Sequence, residues 1–279
     1  MGENLVTNIG HCLTSASDLV GGNMSLIYYS HIPTAIITLL MGIFVLKAGK
    51  DSLASRILFT FCLTFALWTF ANLISWIGSS SVWIMFFWSI LSLFDITFYV
   101  LGLYFFYVFV DGKDISFRLK LIFVAILTPF LIMAPMALNL PGFDYINCMA
   151  VDTSFLGYVF YAKILIASWL AILAVYKYFK AKKEDRLSIV ILSLGLGLFF
   201  FSFFITGYIA DTYIRYDIEL YGLYFMTLFM GMLAYLIVKF KAFNIQLIGA
   251  QALVYALIIL IGSQFFFIRT TTNFILTGI

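Results

Sequence analysis

Charge is what this chain has least of. Asp, Glu, Lys and Arg make up 10% of its 279 residues, against about 25% in a soluble globular domain, which excludes an ordinary water-facing surface. Cysteine is also scarce. Cys12, Cys62 and Cys148 are too few for a disulfide framework, and without a Cys-x-x-Cys they have no metal-site spacing. Of the two histidines, neither belongs to an HxxxH or HxxE pattern, so no zinc site or other metal is expected. A net charge of +3, with its basic residues scattered in short clusters, gives no face for nucleic acid. The opening MGENLVTNIGHCLTSASDLVGGN has no Lys or Arg, which excludes the basic start of a cleaved signal peptide.

Apolar residues fill the space. They reach 64%, aromatics alone 19%, and mean hydropathy is +1.08, the composition of an integral membrane protein. Runs long enough to cross a bilayer cover residues 25–46, 57–77, 82–110, 119–140, 154–176, 188–210, 219–238 and 246–268. The expected fold is an all-α membrane protein, a bundle of seven transmembrane helices plus an eighth, with the N-terminus outside. Its divisions are an extracytoplasmic tail (1–24), a seven-span domain (25–245), and an eighth helix with a truncated outer turn (246–279). The final FILTGI reads as the start of a ninth span, so the chain is expected to be a fragment. Pro141-Gly142 opens the longest connection as a turn.

Orientation follows from basic residues, which concentrate in short cytoplasmic loops. All sixteen except Lys163, Arg215 and Arg269 lie after spans 1, 3, 5 and 7, which sets the first residue outside the membrane. The cluster KYFKAKKEDR, residues 177–186, reads as a topogenic loop against anionic lipid headgroups.

Within the spans, polar groups are few and therefore informative. Asp95 lies near the middle of the longest run, where a carboxylate is expensive and should face protein or trapped water with a partner. Lys163 is the one cation away from the ends of a span. At 1.5 Å per residue the two lie roughly 18 Å and 14 Å from the outer ends of spans 3 and 5, a difference a lysine stem covers. An Asp95–Lys163 pair is expected, serving either helix register or a ligand. Trp88, Ser92, Asp95, Tyr99 and Gly102 recur at helical spacing and form one stripe, which reads as core packing or as the lining of a pocket. His31 precedes Pro33 in span 1, and Asn72 in span 2 reaches a similar depth. His31 is either a proton or ligand switch or a histidine hydrogen-bonded inside the bundle.

Cys12 and Cys148 both fall outside and are either a disulfide or two free thiols. Close helix contacts are marked by Ala35, Thr38 and Gly42, by Gly195 and Gly197, and by Gly249, Ala252 and Ala256. Pro129 and Pro135 should bend span 4.

Several functions fail on these residues. A retinal Schiff base needs a lysine in span 7, and Tyr221 to Val238 has none; span 3 leads into DGKDIS rather than a receptor's acidic-Arg-aromatic triplet. An intramembrane enzyme needs paired carboxylates, a Ser/His couple or a metal cluster, so no catalytic residue, enzyme activity or cofactor is assigned. A sensor module leads, and a small secondary transporter using Asp95 and Lys163 is the alternative.

SLIYYSHIPTAIITLLMGIFVL, KDISFRLK and above all YLIVKFKAFNIQLIGAQALVYALIILIGSQFFFIRTTTNFILTGI resemble the N-terminal seven-transmembrane region of bacterial membrane histidine kinases. The resemblance implies a sensor region of a two-component system. Its partners would be the lipid bilayer, a small or lipid-like ligand and a cytoplasmic kinase domain in the parent chain, with a homodimer compatible. The phospho-accepting His helix and ATP-binding boxes do not occur before Ile279.

Overall fold

The computed structural model describes residues 24–49, 52–134, 136, 140–144, 149–151, 155–213 and 216–240. The tail 1–23, Pro135, Cys12, Cys148 and the eighth span lie outside the described residues, and with them the proposed disulfide.

The helices start and stop where local chemistry directs. α1 (Met24–Ala48) contains Pro33 and ends with Lys47 in its last turn, where a cation suits the exposed carbonyls. Ser52 caps α2 (Leu53–Ile77) by accepting from the Ser55 amide at 3.2 Å, satisfying one of the free amides of a helix start. α3 (Ser81–Asp111) runs for 31 residues and stops at Gly112, whose φ of 65° and N–H to the Val108 carbonyl at 2.9 Å close the helix. That backbone conformation suits glycine, which has no Cβ to clash.

α4 (Phe117–Met133) begins at the Ser116 cap and has 17 residues, about 25 Å of helix. It is shorter than the run 119–140 implied, and Pro129 lies inside it. A two-stranded antiparallel hairpin follows, β1 (Gly142–Asp144) against β2 (Met149–Val151), with Phe143 opposite Ala150. Pro141-Gly142 is expected to open a turn; instead Gly142 begins β1, and no sequence pattern points to these strands. α5 (Phe155–Lys180) and α6 (Arg186–Tyr213) come next. The seventh apolar run is divided: a single turn at Glu219–Gly222 precedes α7 (Tyr224–Phe240).

Among the described residues, six segments are long and apolar enough to cross a membrane: Leu26–Ala48 of α1, α2, α3, Gly157–Lys180 of α5, α6 and Glu219–Ile237. Their neighbours in space form a closed ring in the order α1, α2, α3, α5, α6, α7 and back to α1, while α4 packs on α3 outside it. The ring turns large apolar side chains outward, among them Trp83, Phe86, Tyr161, Phe179 and Phe201, as expected of a multi-pass membrane protein whose solvent is lipid.

The ring encloses aromatics. Phe61 and Phe65 of α2, Phe98 and Tyr99 of α3, Phe199, Phe200 and Phe203 of α6 and Phe229 of α7 form one buried cluster, with edge-to-face contacts such as Phe65–Phe199 at 5.4 Å and 78°. Lipid tails are as apolar as these rings, so the cluster holds by close packing rather than by escape from water. Small residues permit the approach: a methyl added at Gly42 would meet the Cys62 Cβ at 2.8 Å.

Hydroxyls in the helices mostly bond their own backbone. Thr60, Thr64, Thr69, Ser75, Thr97 and Ser193 each donate to the carbonyl four residues earlier, at 2.6 to 3.0 Å, which pairs these hydroxyls in an apolar setting.

Candidate functional site

α3 and α5 meet along a seam of polar links. Asp95 pairs with Lys163, Trp169 Nε1 donates to the Tyr107 hydroxyl at 3.0 Å, and Asp111 pairs with Lys177. The partners ascend in number together on both helices, so α3 and α5 run parallel and their basic ends fall at the same end of the bundle.

The first link is the deepest. Asp95 is 7% exposed and Lys163 5%, so each charge has lost its water, and the partner offsets that loss. The lysine is further surrounded by ring faces. Its ammonium lies 5.9 Å from the Tyr99 centroid, 5.5 Å from Phe160 and 5.6 Å from Phe203, within the range where an aromatic quadrupole attracts a cation. Phe160 stands three residues before Lys163, a neighbour that helical spacing reveals; Phe203 comes from α6, and no local pattern points to it.

The acid is only half used. Asp95 Oδ2 takes the lysine, while Asp95 Oδ1 is buried without a hydrogen-bond partner. One turn earlier Ser92 Oγ is likewise buried and unpartnered; unlike the other helix hydroxyls named above, it does not return to its own backbone. Both side chains lean toward the N-terminal end of α3, as side chains on a helix do. From Met85 to Phe94 no residue of α3 is buried.

The remaining stripe residues divide between two environments. Tyr99 and Gly102 are committed to α6: a methyl at Gly102 would meet Phe200 Cζ at 2.6 Å, and Tyr99 is fully buried. Trp88 stays half-buried. The stripe is therefore packed at its C-terminal half and open at its N-terminal half.

His31 and Asn72 form a second polar pair, between α1 and α2. His31 Nε2 is 2.8 Å from Asn72 Oδ1, and Nδ1 is 2.7 Å from the Ile27 carbonyl. A carbonyl only accepts, so Nδ1 carries a hydrogen. Nε2 then meets the Asn72 amide, which suits a neutral ring with the NH2 end turned toward it or an imidazolium with the oxygen turned toward it. Ser30 Oγ donates to the same Ile27 carbonyl at 3.0 Å. Among the described residues no three His, Cys, Asp or Glu side chains cluster as metal ligands. Cys62 is a buried free thiol.

At the basic end, Asp114 accepts from Tyr104 at 2.7 Å and pairs with Lys120. An open cleft of about 510 Å³ there is lined by Ser52, Leu53, Ala54, Val108, Phe109 and Gly112 to Asp114. Val108 lies thirteen residues beyond Asp95, about 20 Å along α3, so this cleft is separate from the buried pair. Set against protein-family models, curated proteins and solved structures, the chain matches none.

Proposed function

We propose that this chain is the membrane-embedded input module of a two-component histidine kinase. It binds a small or lipid-like ligand beside Asp95 and Lys163 and passes a change of bundle state through spans 7 and 8 to a cytoplasmic kinase carried by a longer parent. The N-terminal end of α3 faces outward, as the distribution of Lys and Arg argues. A ligand acts this way only by binding two bundle states with different affinity.

The observation that carries the reading is the buried Asp95–Lys163 pair between α3 and α5. Charges inside membrane spans are costly and mark function by default. The resemblance of the helix 1, KDISFRLK and YLIVKFKAF segments adds the kinase context.

The test is Asp95→Asn in a full-length parent, with folding verified and autophosphorylation measured with and without stimulus. Loss or locking of the response is expected, and an unchanged response removes the site. The reading frame downstream of codon 279 checks the context: it should continue into a His-bearing coiled coil. Solute uptake by proteoliposomes that disappears in Lys163→Met would make the chain a transporter instead.

A further inference from the structure

The open cleft at the basic end has room for a ligand. Its volume, about 510 Å³, lies in the size range of small-molecule sites. Its walls are the first turn of α2 and the last turn of α3 with the loop beyond. Both spans end there, so the cleft lies where hydrocarbon gives way to headgroups.

Its charge is one-sided. Asp111 pairs with Lys177. Asp114, which lines the cleft, is held by Lys120, the Tyr104 hydroxyl and the Ile115 amide. Each acid is thus neutralised by a lysine of its own. Lys113 stands between them on the cleft wall, exposed and, among the described residues, without an acid partner. Arg56 and Arg118 beside it are exposed as well, and no described acid pairs with them. The charge left over is positive and calls for an anion.

The floor is apolar. Leu53, Ala54, Val108 and Phe109 form it, which suits the glyceride end of a lipid better than a hydrated ion. Leu53 also begins an outward stripe of α2. Thr60 and Leu67 follow at intervals of two turns, with Leu63 and Phe70 beside them, and all are exposed. An acyl chain leaving the cleft past Leu53 continues along the lipid-facing side of that helix.

We infer that this cleft binds the headgroup of an anionic phospholipid, with its phosphate at Lys113 and its acyl chains along Leu53 and the outer face of α2. The lipid comes from the leaflet at the basic end, since basic pockets between membrane helices recognise anionic headgroups. Neither Asp95 nor Lys163 takes part, so the site is independent of the sensor reading. Free phosphate shares the headgroup's chemistry without its chains, and a diffuse attraction of basic loops to anionic membrane shares its charge without a site. The experiment separates both from the lipid site.

Native mass spectrometry of the full chain counts the lipids it retains on release from detergent. The probes are phosphatidylglycerol and phosphatidylcholine with the same acyl chains, and inorganic phosphate as a competitor. One phosphatidylglycerol should be retained in preference to phosphatidylcholine, and phosphate should not displace it. Lys113→Gln should weaken retention about tenfold, the order of one charge-assisted hydrogen bond, and Lys113→Arg should keep it. Lys183→Gln removes an exposed cation of the same end that does not line the cleft, and should leave retention unchanged. Leu53→Glu puts a carboxylate into the cleft at a helix start, where an acid suits the fold, and should weaken retention more than Leu53→Gln.

Lys113 is exposed and unpaired, so its replacement leaves the ion pairs of the fold intact. Equal retention of the two lipids overturns the inference, because the headgroup is then not recognised. Equal losses in Lys113→Gln and Lys183→Gln overturn it in favour of diffuse attraction. Displacement of the lipid by inorganic phosphate makes the cleft a site for the soluble ion, and a chain that retains no lipid at all has no such site; either result overturns it too.

Discussion

Tyr99 lies flat on Phe200, ring centroids 4.3 Å apart and planes 17° from parallel, while its hydroxyl donates to the Phe200 carbonyl at 2.6 Å. One side chain of α3 thus fixes both the ring and the backbone of α6. Tyr99→Phe keeps the stack and loses the hydrogen bond, so it should cost about 1 kcal/mol. Tyr99→Ala removes the ring and should cost about 3–5 kcal/mol. Unfolding of the two variants in the same detergent checks the ranking, and equal losses would mean that the stack contributes nothing.

Asp95 and Lys163 should behave as one unit. Either Asp95→Asn or Lys163→Met alone strands a buried polar or charged partner, at about 3–5 kcal/mol. The double variant Asp95→Leu/Lys163→Met leaves no charge and should unfold much closer to wild type. A double-mutant cycle measures the coupling, and strictly additive losses would show that the two groups do not depend on each other.

Two glycines on α6, two residues apart, should respond oppositely to alanine. At Gly195 the added methyl meets Phe229 at 2.9 Å and the Met232 sulfur at 3.1 Å, whereas at Gly197 nothing lies within 4 Å. Gly195→Ala should destabilise by about 1–3 kcal/mol through overpacking. Gly197→Ala should be neutral or stabilising by up to about 1 kcal/mol, because alanine is the better helix former. Thermal unfolding midpoints of the pair decide it.

Asp114 gives a pH signature at the basic end. Hydrogen bonds from Lys120 and then Tyr104 hold its carboxyl below the usual range, so it ionises more readily folded than unfolded. Its contribution is therefore present above its unfolded value, about 3.9, and is lost as pH falls through the lower folded value. The site is exposed, so the effect stays under about 1 kcal/mol. The stability gap between wild type and Asp114→Asn should shrink as pH is lowered from about 5 toward 2.

The sequence made the apolar helices legible because lipid-spanning runs are long and scarcely charged, and six segments of that kind form the ring. It also pointed at Asp95 and Lys163, because one acid and one base inside such runs stand out against so little charge. Span 4 was harder. Apolar residues continue to 140, but α4 ends at Met133, and hydropathy does not register where a helix stops. The hairpin escaped for a similar reason: GFD and MAV are too short for an alternating pattern.

Within the site, Ser92 and Tyr99 shared a stripe, yet Tyr99 is buried against Phe200 and Ser92 is only partly buried. Periodicity assigns residues to a face; only the neighbouring helices decide which turns of that face are covered. Gly195 and Gly197 looked equivalent for the same reason. Phe203, from a helix distant in sequence, left no trace in any local spacing.

α3 measures about 46 Å end to end at 1.5 Å per residue over its 31 residues, while the hydrocarbon slab is about 30 Å thick. Such a rod either inclines or extends into the headgroup layers, and the balance shifts with acyl-chain length. Thin and thick membranes would then present different turns of α3 to the lipid, making the depth at which the Asp95–Lys163 pair sits a property of the host bilayer as well as of the fold.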